Sequence, residues 1–352
     1  MAILEYNNIG ISAVAACVPK RVMKNSDLAG FLNEDELKRT LGYIGIQEKR
    51  YVDEGVCASD LCCKAAEKLF ADNNVDPAEI DAVIFLSQTP DYRQPATAPS
   101  LAHRLGLSTS VLSFDVNLAC SGYVYGLATS FAFMQNPGIR KALLLVGETM
   151  SKTISQKDRA TVPLFGDAGT ATLIEKGEFG AAAFSLNSDG SKMDVLKMPY
   201  GGYRNPSCEE GLKEVEDELG NIKNGETLRM DGMEVFNFGI RAVPSDIRDL
   251  LKHLDKTIDD VDLLIYHQAN KFMTDFFSKH LKVPATKTPY SLDRFGNTSS
   301  ASVPLTIVSE LFDKEKFSAR KSVLFSGFGS GLSWGTAWLS LEKTKISELV
   351  EY

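Results

Sequence analysis

Three side chains combine a reactive group with a setting that can use it. They are Cys120 in FDVNLACSGYVYGL (114–127), His267 in VDLLIYHQAN (261–270) and Asn297 in RFGNTSSASVP (294–304). Cys120 ends a short apolar run and precedes a helical pattern. Unpaired N–H groups at a helix start favour the thiolate, the form of cysteine that attacks a carbonyl carbon. A free cysteine is more often plain core, so type and position alone do not make it a nucleophile. His267 ends an apolar strand pattern, where an imidazole can donate, accept or simply satisfy backbone groups. Asn297 precedes small residues and a helical pattern, the place of an N-cap; its amide can donate a hydrogen bond but cannot act as a base. Ser121 and Gly122, directly behind the thiol, are expected to keep side chains clear of an approaching substrate. GFGSGLSWG (327–335) has a Gly-rich spacing, but no helical pattern follows it. It reads as a tight turn offering backbone N–H groups rather than a dinucleotide loop.

These residues need strands that end together. The sequence alternates short β-branched runs with amphipathic stretches: IDAVIFLSQTP (80–90), KALLLVGET (141–149), VDLLIYHQAN and KSVLFSGFGSG (321–331). That is an α/β pattern, and ligands of such sheets gather at the carboxyl ends of strands. The runs also pair across the chain. Asp81 matches Asp262, Arg140-Lys141 matches Arg320-Lys321 and Gly147 matches Gly327, at offsets of 181, 180 and 180. NLACSGYVYGLATSF from Asn117 lies against NTSSASVPLTIVSEL from Asn297, again 180 apart, setting Cys120 opposite Ser300. Equal offsets in one order argue for two copies of a βαβ-rich unit, expected at 1–178 with the cysteine and 179–352 with the histidine and asparagine. Turn residues cluster near 175–192, the expected seam, and the acidic, polar stretch 203–226 has no counterpart and reads as a surface insertion.

A chain of 352 residues has room for two domain-sized cores. Its 44% apolar and 24% charged residues are those of an ordinary soluble protein, and no apolar run approaches the roughly 20 residues of a membrane span. No secretion-signal pattern opens the sequence, and Ile9 to Val18 reads as a strand, so the cytoplasm is the expected location. A net charge of −8 without a basic segment excludes a general nucleic-acid binder. Six cysteines without a CxxC pair make a disulfide framework or a zinc site a poor reading.

In chain order, ACSG, FGDAG (165–169), HQAN, GNTSSASVP and GFGSGLSWG together resemble the motif set of the β-ketoacyl-acyl-carrier-protein synthase III family, thiolase-fold condensing enzymes. The match spans essentially the whole chain. It implies an internally duplicated five-layer α-β-α-β-α thiolase fold and a Cys120–His267–Asn297 triad. On this resemblance Cys120 accepts an acyl group from a thioester, with backbone N–H groups of Cys120 and Ser330 as the oxyanion hole. His267 and Asn297 then donate to the enolate left when malonyl-acyl-carrier-protein loses carbon dioxide, and attack on the acyl-cysteine gives a 3-oxoacyl product. A homodimer is implied, with no cofactor and no metal. Arg159, Lys271, Lys279 and Phe236 stand at the expected substrate- and carrier-binding positions.

The chain also departs from the family pattern. Typical members hold a Trp and an Arg shortly before a GI pair, where this chain has Arg39 and Tyr43. Phe272 replaces an Arg after HQAN, Ser330 a usual Gly, and Gln94 stands near an aromatic expected to reach the partner subunit's pocket. The donor is therefore either an acyl-coenzyme A or an acyl-carrier-protein thioester. Exposed lysines would steer an acidic carrier, or simply form a solvated helix face. A tail after Trp338 runs longer than the family leads one to expect. A competing reading is acyl transfer from Cys120 to an alcohol or amine, which needs a base but no enolate hole. A non-catalytic acyl-binding protein is a third reading, against which the intact triad stands.

Overall fold

The structure, a computed structural model, describes residues 2–29, 32–313 and 317–352. The apolar runs become strands of a ten-stranded sheet. They are β1 (Ala2–Val18), β2 (Ala82–Leu86), β3 (Leu112–Val116), β4 (Lys141–Thr149), β5 (Asp167–Ser188), β6 (Leu263–Tyr266), β7 (Val323–Gly329), β8 (Ser333–Leu339), β9 (Lys345–Ile346) and β10 (Val350–Glu351). The main path runs β6-β7-β8-β5-β4-β2-β3, with β1 alongside β5. The longer helices are α1 (Glu34–Ile44), α2 (Ala58–Asn73), α3 (Ala98–Arg104), α4 (Gly122–Phe133), α5 (Gly232–His253), α6 (Lys271–Leu281) and α7 (Ser302–Leu311).

Strands β2, β6 and β7 are buried along their whole length, which is why they read as unbroken apolar runs rather than alternating ones. Their side chains still alternate, and the alternation sorts them into three cores. Ile84, Leu86, Leu144 and Val146 on one wing, and Ile265 and Phe325 on the other, share a core with Leu127 and Phe131 of α4 and Ile307 and Leu311 of α7. The opposite face of β2 and β4, with Val83, Phe85, Leu143 and Leu145, is covered by α2 and α3. Leu264, Tyr266, Leu324 and Phe328 are covered by α5 and α6. The result is helix, sheet, helix, sheet, helix, with both wings of the sheet closing over the α4/α7 pair.

The duplication is visible in hydrogen bonds. Asp81 Oδ2 accepts the N–H groups of Arg140 (2.7 Å) and Lys141 (3.0 Å); Asp262 Oδ2 accepts those of Lys321 and Ser322 (both 2.9 Å). Strand β2 runs parallel to β4, and β6 parallel to β7. In this part the offset is 181, so Arg140 lies opposite Lys321 rather than Arg320. The helix starts, Gly122 and Ser302, keep 180. The expected seam is not a turn. Residues 167–188 form one strand, pairing with β4 through 167–175 and with β8 through 183–188, so positions 178 and 179 lie inside β5. Its glycines serve an irregular register against β1 near Asn7 to Ile9, where Gly180 takes φ +85°.

The 203–226 stretch is exposed but not loose. Ser155 Oγ donates to the Ile222 carbonyl (2.6 Å), Ile222 N–H to the Lys157 carbonyl (3.2 Å), and Arg159 N–H to Asn221 Oδ1 (3.0 Å). The long tail has a clear place: β9 and β10 pair with the free side of β1 through Ala13 to Lys345 and Cys17 to Val350, covering an edge that would otherwise be open. Among the described residues no helix is long and apolar enough to cross a membrane.

Candidate active site

A cavity of about 550 Å³ opens where the two halves meet, and Cys120, His267 and Asn297 all line it. Its walls are mostly apolar, including Met150, Leu196, Leu228, Phe236 and Phe328, and Arg159 is the charged residue among the lining. The cavity can therefore hold an extended apolar chain beside a thiol.

Cys120 sits in the turn just before α4, 8% exposed. Glycines let the end of β7 press against it. A Cβ on Gly329 would stand 2.7 Å from Cys120 Cβ and 3.0 Å from Sγ; one on Gly327 would stand 2.8 Å from Ser121 Cα. Gly122 has a different task from the one expected. A Cβ there would meet Leu86 Cδ2 at 2.5 Å and Ser300 Cβ at 3.1 Å, and Ser121 Oγ is hydrogen-bonded to Ser333 Oγ (2.7 Å). These small residues let the halves approach each other; they do not clear a path for substrate.

Asn297 and His267 each have one side occupied and one side facing the cavity. Ser299 N–H donates to Asn297 Oδ1 (2.8 Å), and since only oxygen accepts, Nδ2 is the free end. Asn297 is not the expected N-cap: Ala301 stands at the start of α7, and the Oδ1 bond instead closes a local turn ahead of the helix. Ser302 Oγ accepts the Gln268 N–H (3.3 Å) and lies 2.7 Å from His267 Nδ1. In the tautomer in which this hydroxyl donates to Nδ1, the ring proton stands on Nε2. Burial pushes the His267 pKa down to about 3, only partly opposed by the Ser299 backbone, so the ring is neutral across ordinary pH.

The thiol departs from the helix-start expectation. Burial pushes the Cys120 pKa up to about 12; the Ser299 hydroxyl opposes this, and Glu148 adds to it. Desolvation outweighs the partial charge of the helix end. Two residues not singled out by sequence reasoning sit behind these groups. Ser299 Oγ lies 3.4 Å from Cys120 Sγ and takes φ +51°, and Gln88 Nε2 donates to it (2.8 Å). Glu148, 0% exposed at the end of β4, accepts from Ser300 Oγ (2.6 Å), Gln88 N (3.1 Å) and Gln88 Nε2 (3.3 Å), and burial lifts its pKa to about 7. An acid at the carboxyl end of a buried strand, in VGET, was a signal that could have found it.

Of the other expected residues, Arg159 and Phe236 line the cavity; Lys271 and Lys279 do not, and stand exposed on α6, with Lys271 paired to Asp275. Arg159 Nη1 lies 4.0 Å from Glu36 Oε2. Ser330 follows Gly329 beside Cys120 and turns its hydroxyl away, to the Leu196 carbonyl (2.7 Å). GFGSGLSWG is the β7–β8 turn, followed by a strand and not by a helix. At the mouth Tyr43 stacks on Phe272, centroids 4.6 Å apart, with Phe236 beside Phe272 at 5.4 Å. Arg39 is exposed on α1, and Gln94 is exposed as well.

Comparison with known proteins agrees with this arrangement. Residues 114–190 match the family model described as 3-oxoacyl-[acyl-carrier-protein] synthase III, and residues 251–341 match its C-terminal counterpart. A beta-ketoacyl-[acyl-carrier-protein] synthase III from Desulfitobacterium hafniense is 36% identical over 345 residues, 96% of this chain and 99% of that protein. One from Rhodopirellula baltica is 33% identical over 355 residues, covering 95% and 98%. A solved 3-oxoacyl-(acyl-carrier protein) synthase from Burkholderia xenovorans has the same fold, with a TM-score of 0.92 and 37% identity over 100% of this chain and 99% of that one. The sheet order, the cavity and the matches over nearly the whole length agree, and the chain belongs to the 3-oxoacyl-[acyl-carrier-protein] synthase III family of enzymes.

Proposed function

We propose that this enzyme condenses an acyl thioester with malonyl-acyl-carrier-protein, with loss of carbon dioxide, through an acyl-Cys120 intermediate. The observation that carries the reading is the paired orientation of Asn297 and His267. Asn297 has its accepting Oδ1 engaged by Ser299, which leaves its N–H groups free, and His267, neutral and paired through Nδ1 with Ser302, offers a second N–H in the tautomer protonated on Nε2; both residues line the cavity that holds the thiol. Two neutral donors beside a nucleophile suit an enolate; transfer to an alcohol or amine would call for a base in that place.

In the first half-reaction the Cys120 sulfur attacks the thioester carbon. The tetrahedral oxyanion is held by the N–H groups of Cys120 and Ser330. Collapse expels the donor thiolate, which takes the proton Cys120 gave up. In the second, the C–C bond of the malonyl carboxylate breaks. Its electrons form an enolate whose oxygen accepts from Asn297 Nδ2 and His267 Nε2. The enolate carbon attacks the acyl-Cys120 carbonyl, and the Cys120 thiolate leaves. Arg159 and Phe236 guide the substrate arm; Lys271 and Lys279 on α6 receive an acidic carrier. The donor is an acyl-coenzyme A or acyl-carrier-protein thioester, and the enzyme works in the cytoplasm as a homodimer. All six cysteines are free, in keeping with a reducing compartment, and the terminal strand β3 carries exposed Leu112 and, through Phe114 at 5.3 Å, packs against exposed Phe133.

Intact-mass measurement after mixing with acyl thioesters tests the division of roles. Cys120→Ala takes up no acyl group. Asn297→Ala still takes up the acyl group, at a rate lowered only by the loosening of the Ser299 turn, but releases carbon dioxide from malonyl-acyl-carrier-protein roughly 100-fold more slowly, the usual loss for one oxyanion donor. Equal loss of acylation in both variants would overturn it.

A further inference from the structure

We propose that Ser299 is a further catalytic residue, its hydroxyl donating to the Cys120 sulfur and stabilising the thiolate, with Gln88, anchored on Glu148, as the positioning residue that directs it. The inference rests on Cys120 being the nucleophile. The Ser299 hydroxyl lies between Cys120 Sγ at 3.4 Å and the amide of Gln88 at 2.8 Å. An amide nitrogen can only donate, so it occupies a lone pair of Ser299 Oγ and leaves the hydroxyl proton for another acceptor. The sulfur is the partner on the other side. Gln88 is held in that pose from both ends, its main-chain N–H on Glu148 Oε2 (3.1 Å) and its Nε2 on Glu148 Oε1 (3.3 Å). Ser299 itself is held at φ +51°, where only a few per cent of non-glycine residues stand, by its N–H bond to Asn297 Oδ1. One short turn therefore positions both the Asn297 amide and the hydroxyl that meets the thiol.

The step is a hydrogen bond that strengthens as charge appears. A hydroxyl is a weak partner for a neutral thiol and a much stronger one for a thiolate, since charge-assisted hydrogen bonds are about twice as strong. Among the described residues, no cation is one of the groups that act on the Cys120 thiol. The titratable groups facing Cys120 are Glu148 from β4, whose charge opposes the thiolate, His267 from the loop after β6, which is neutral, and Arg159, on another wall of the cavity. The end of β7 presents Gly327 and Gly329, which carry no charge.

Alkylation of Cys120 by iodoacetamide, followed by peptide mass across pH 6 to 10, reads the thiolate without any acyl donor. Ser299→Ala shifts the rate profile upward by about one pH unit, so alkylation at a fixed pH below the midpoint falls roughly tenfold. Gln88→Met shifts it the same way by less. Superimposable profiles for wild type and Ser299→Ala, at unchanged circular dichroism, overturn the proposal. Should Ser299→Ala fail to fold, an unshifted Gln88→Met profile overturns it instead. Absence of any acyl adduct on a normally alkylated wild type would overturn the condensing reading and with it the catalytic role of Ser299, whereas an adduct with unshifted alkylation profiles would overturn the Ser299 role alone.

Discussion

Burial drives the thiol and the imidazole of the site toward neutrality from opposite directions: Cys120 up to about 12, His267 down to about 3. The resting site is a thiol beside a neutral ring rather than a thiolate–imidazolium pair. Acylation measured against pH should accordingly show no loss from imidazole protonation between pH 8 and pH 5; a limb with its midpoint near 6.5, the ordinary histidine value, would contradict this. At this scale the sequence pointed to Cys120 and His267, because each ends an apolar run at one side of an α/β sheet, and to Asn297, because it stands before small residues and a helical pattern. It did not show Ser299 or Glu148 at work. Serine hydroxyls look alike in a run of small residues, and their partners Gln88 and Glu148 arrive from 211 and 152 residues away in sequence. The helix-start argument for Cys120 had the right element and the wrong dominant force, since burial is a property of the assembled halves.

Among the elements, the end of β7 and the N-terminus of α4 are held together by absent side chains. A Cβ at Gly327 would meet backbone on both contacts, Ser121 Cα at 2.8 Å and the Cys120 carbonyl at 3.0 Å, so neither can yield by a rotamer change. Gly327→Ala should lower unfolding free energy by about 1–3 kcal/mol, the range for overpacking, and slow acylation as well because the nucleophile's own turn is displaced. Chemical denaturation alongside the acyl-adduct rate checks both; an undisturbed adduct rate in a destabilised variant would mean that this contact carries stability alone. The alternation of strands and helices and the internal repeat were legible, since buried parallel strands leave unbroken apolar runs. The seam was not. Glycines that serve a bulge in β5 have the composition of a turn, and only pairing with β1 on one side and with β4 and β8 on the other tells the two apart.

Over the whole molecule, two buried groups of one site oppose each other in their effect on stability. Glu148 has a folded pKa of about 7, above its ordinary 4.5. Its contribution is complete below about pH 4.5 and is lost as pH rises through 7. His267, at about 3 against an ordinary 6.5, contributes fully above 6.5 and loses its contribution as pH falls toward 3. Between about pH 4.5 and 6.5 the two slopes cancel. Glu148→Gln removes one of them. The wild type's advantage over the variant should therefore shrink between pH 4.5 and 7 by on the order of 3 kcal/mol, at about 1.4 kcal/mol per pH unit. Unfolding curves of both proteins at pH 4.5, 5.5, 6.5 and 7.5 test this, and a pH-independent difference would show that Glu148 titrates normally.

The two long strands have one more consequence, for how the chain is made. Residues 183–188 of β5 take their partners from 333–338, and β1 receives β9 and β10 from the last ten residues. A nascent chain emerging from the ribosome can pair β1 with β5 once residue 188 is out. It must then carry two unprotected strand edges until residues 333–351 have emerged, the interval in which such chains associate wrongly. The sheet that unites the two halves thus leaves neither half with a closed surface until those residues are made.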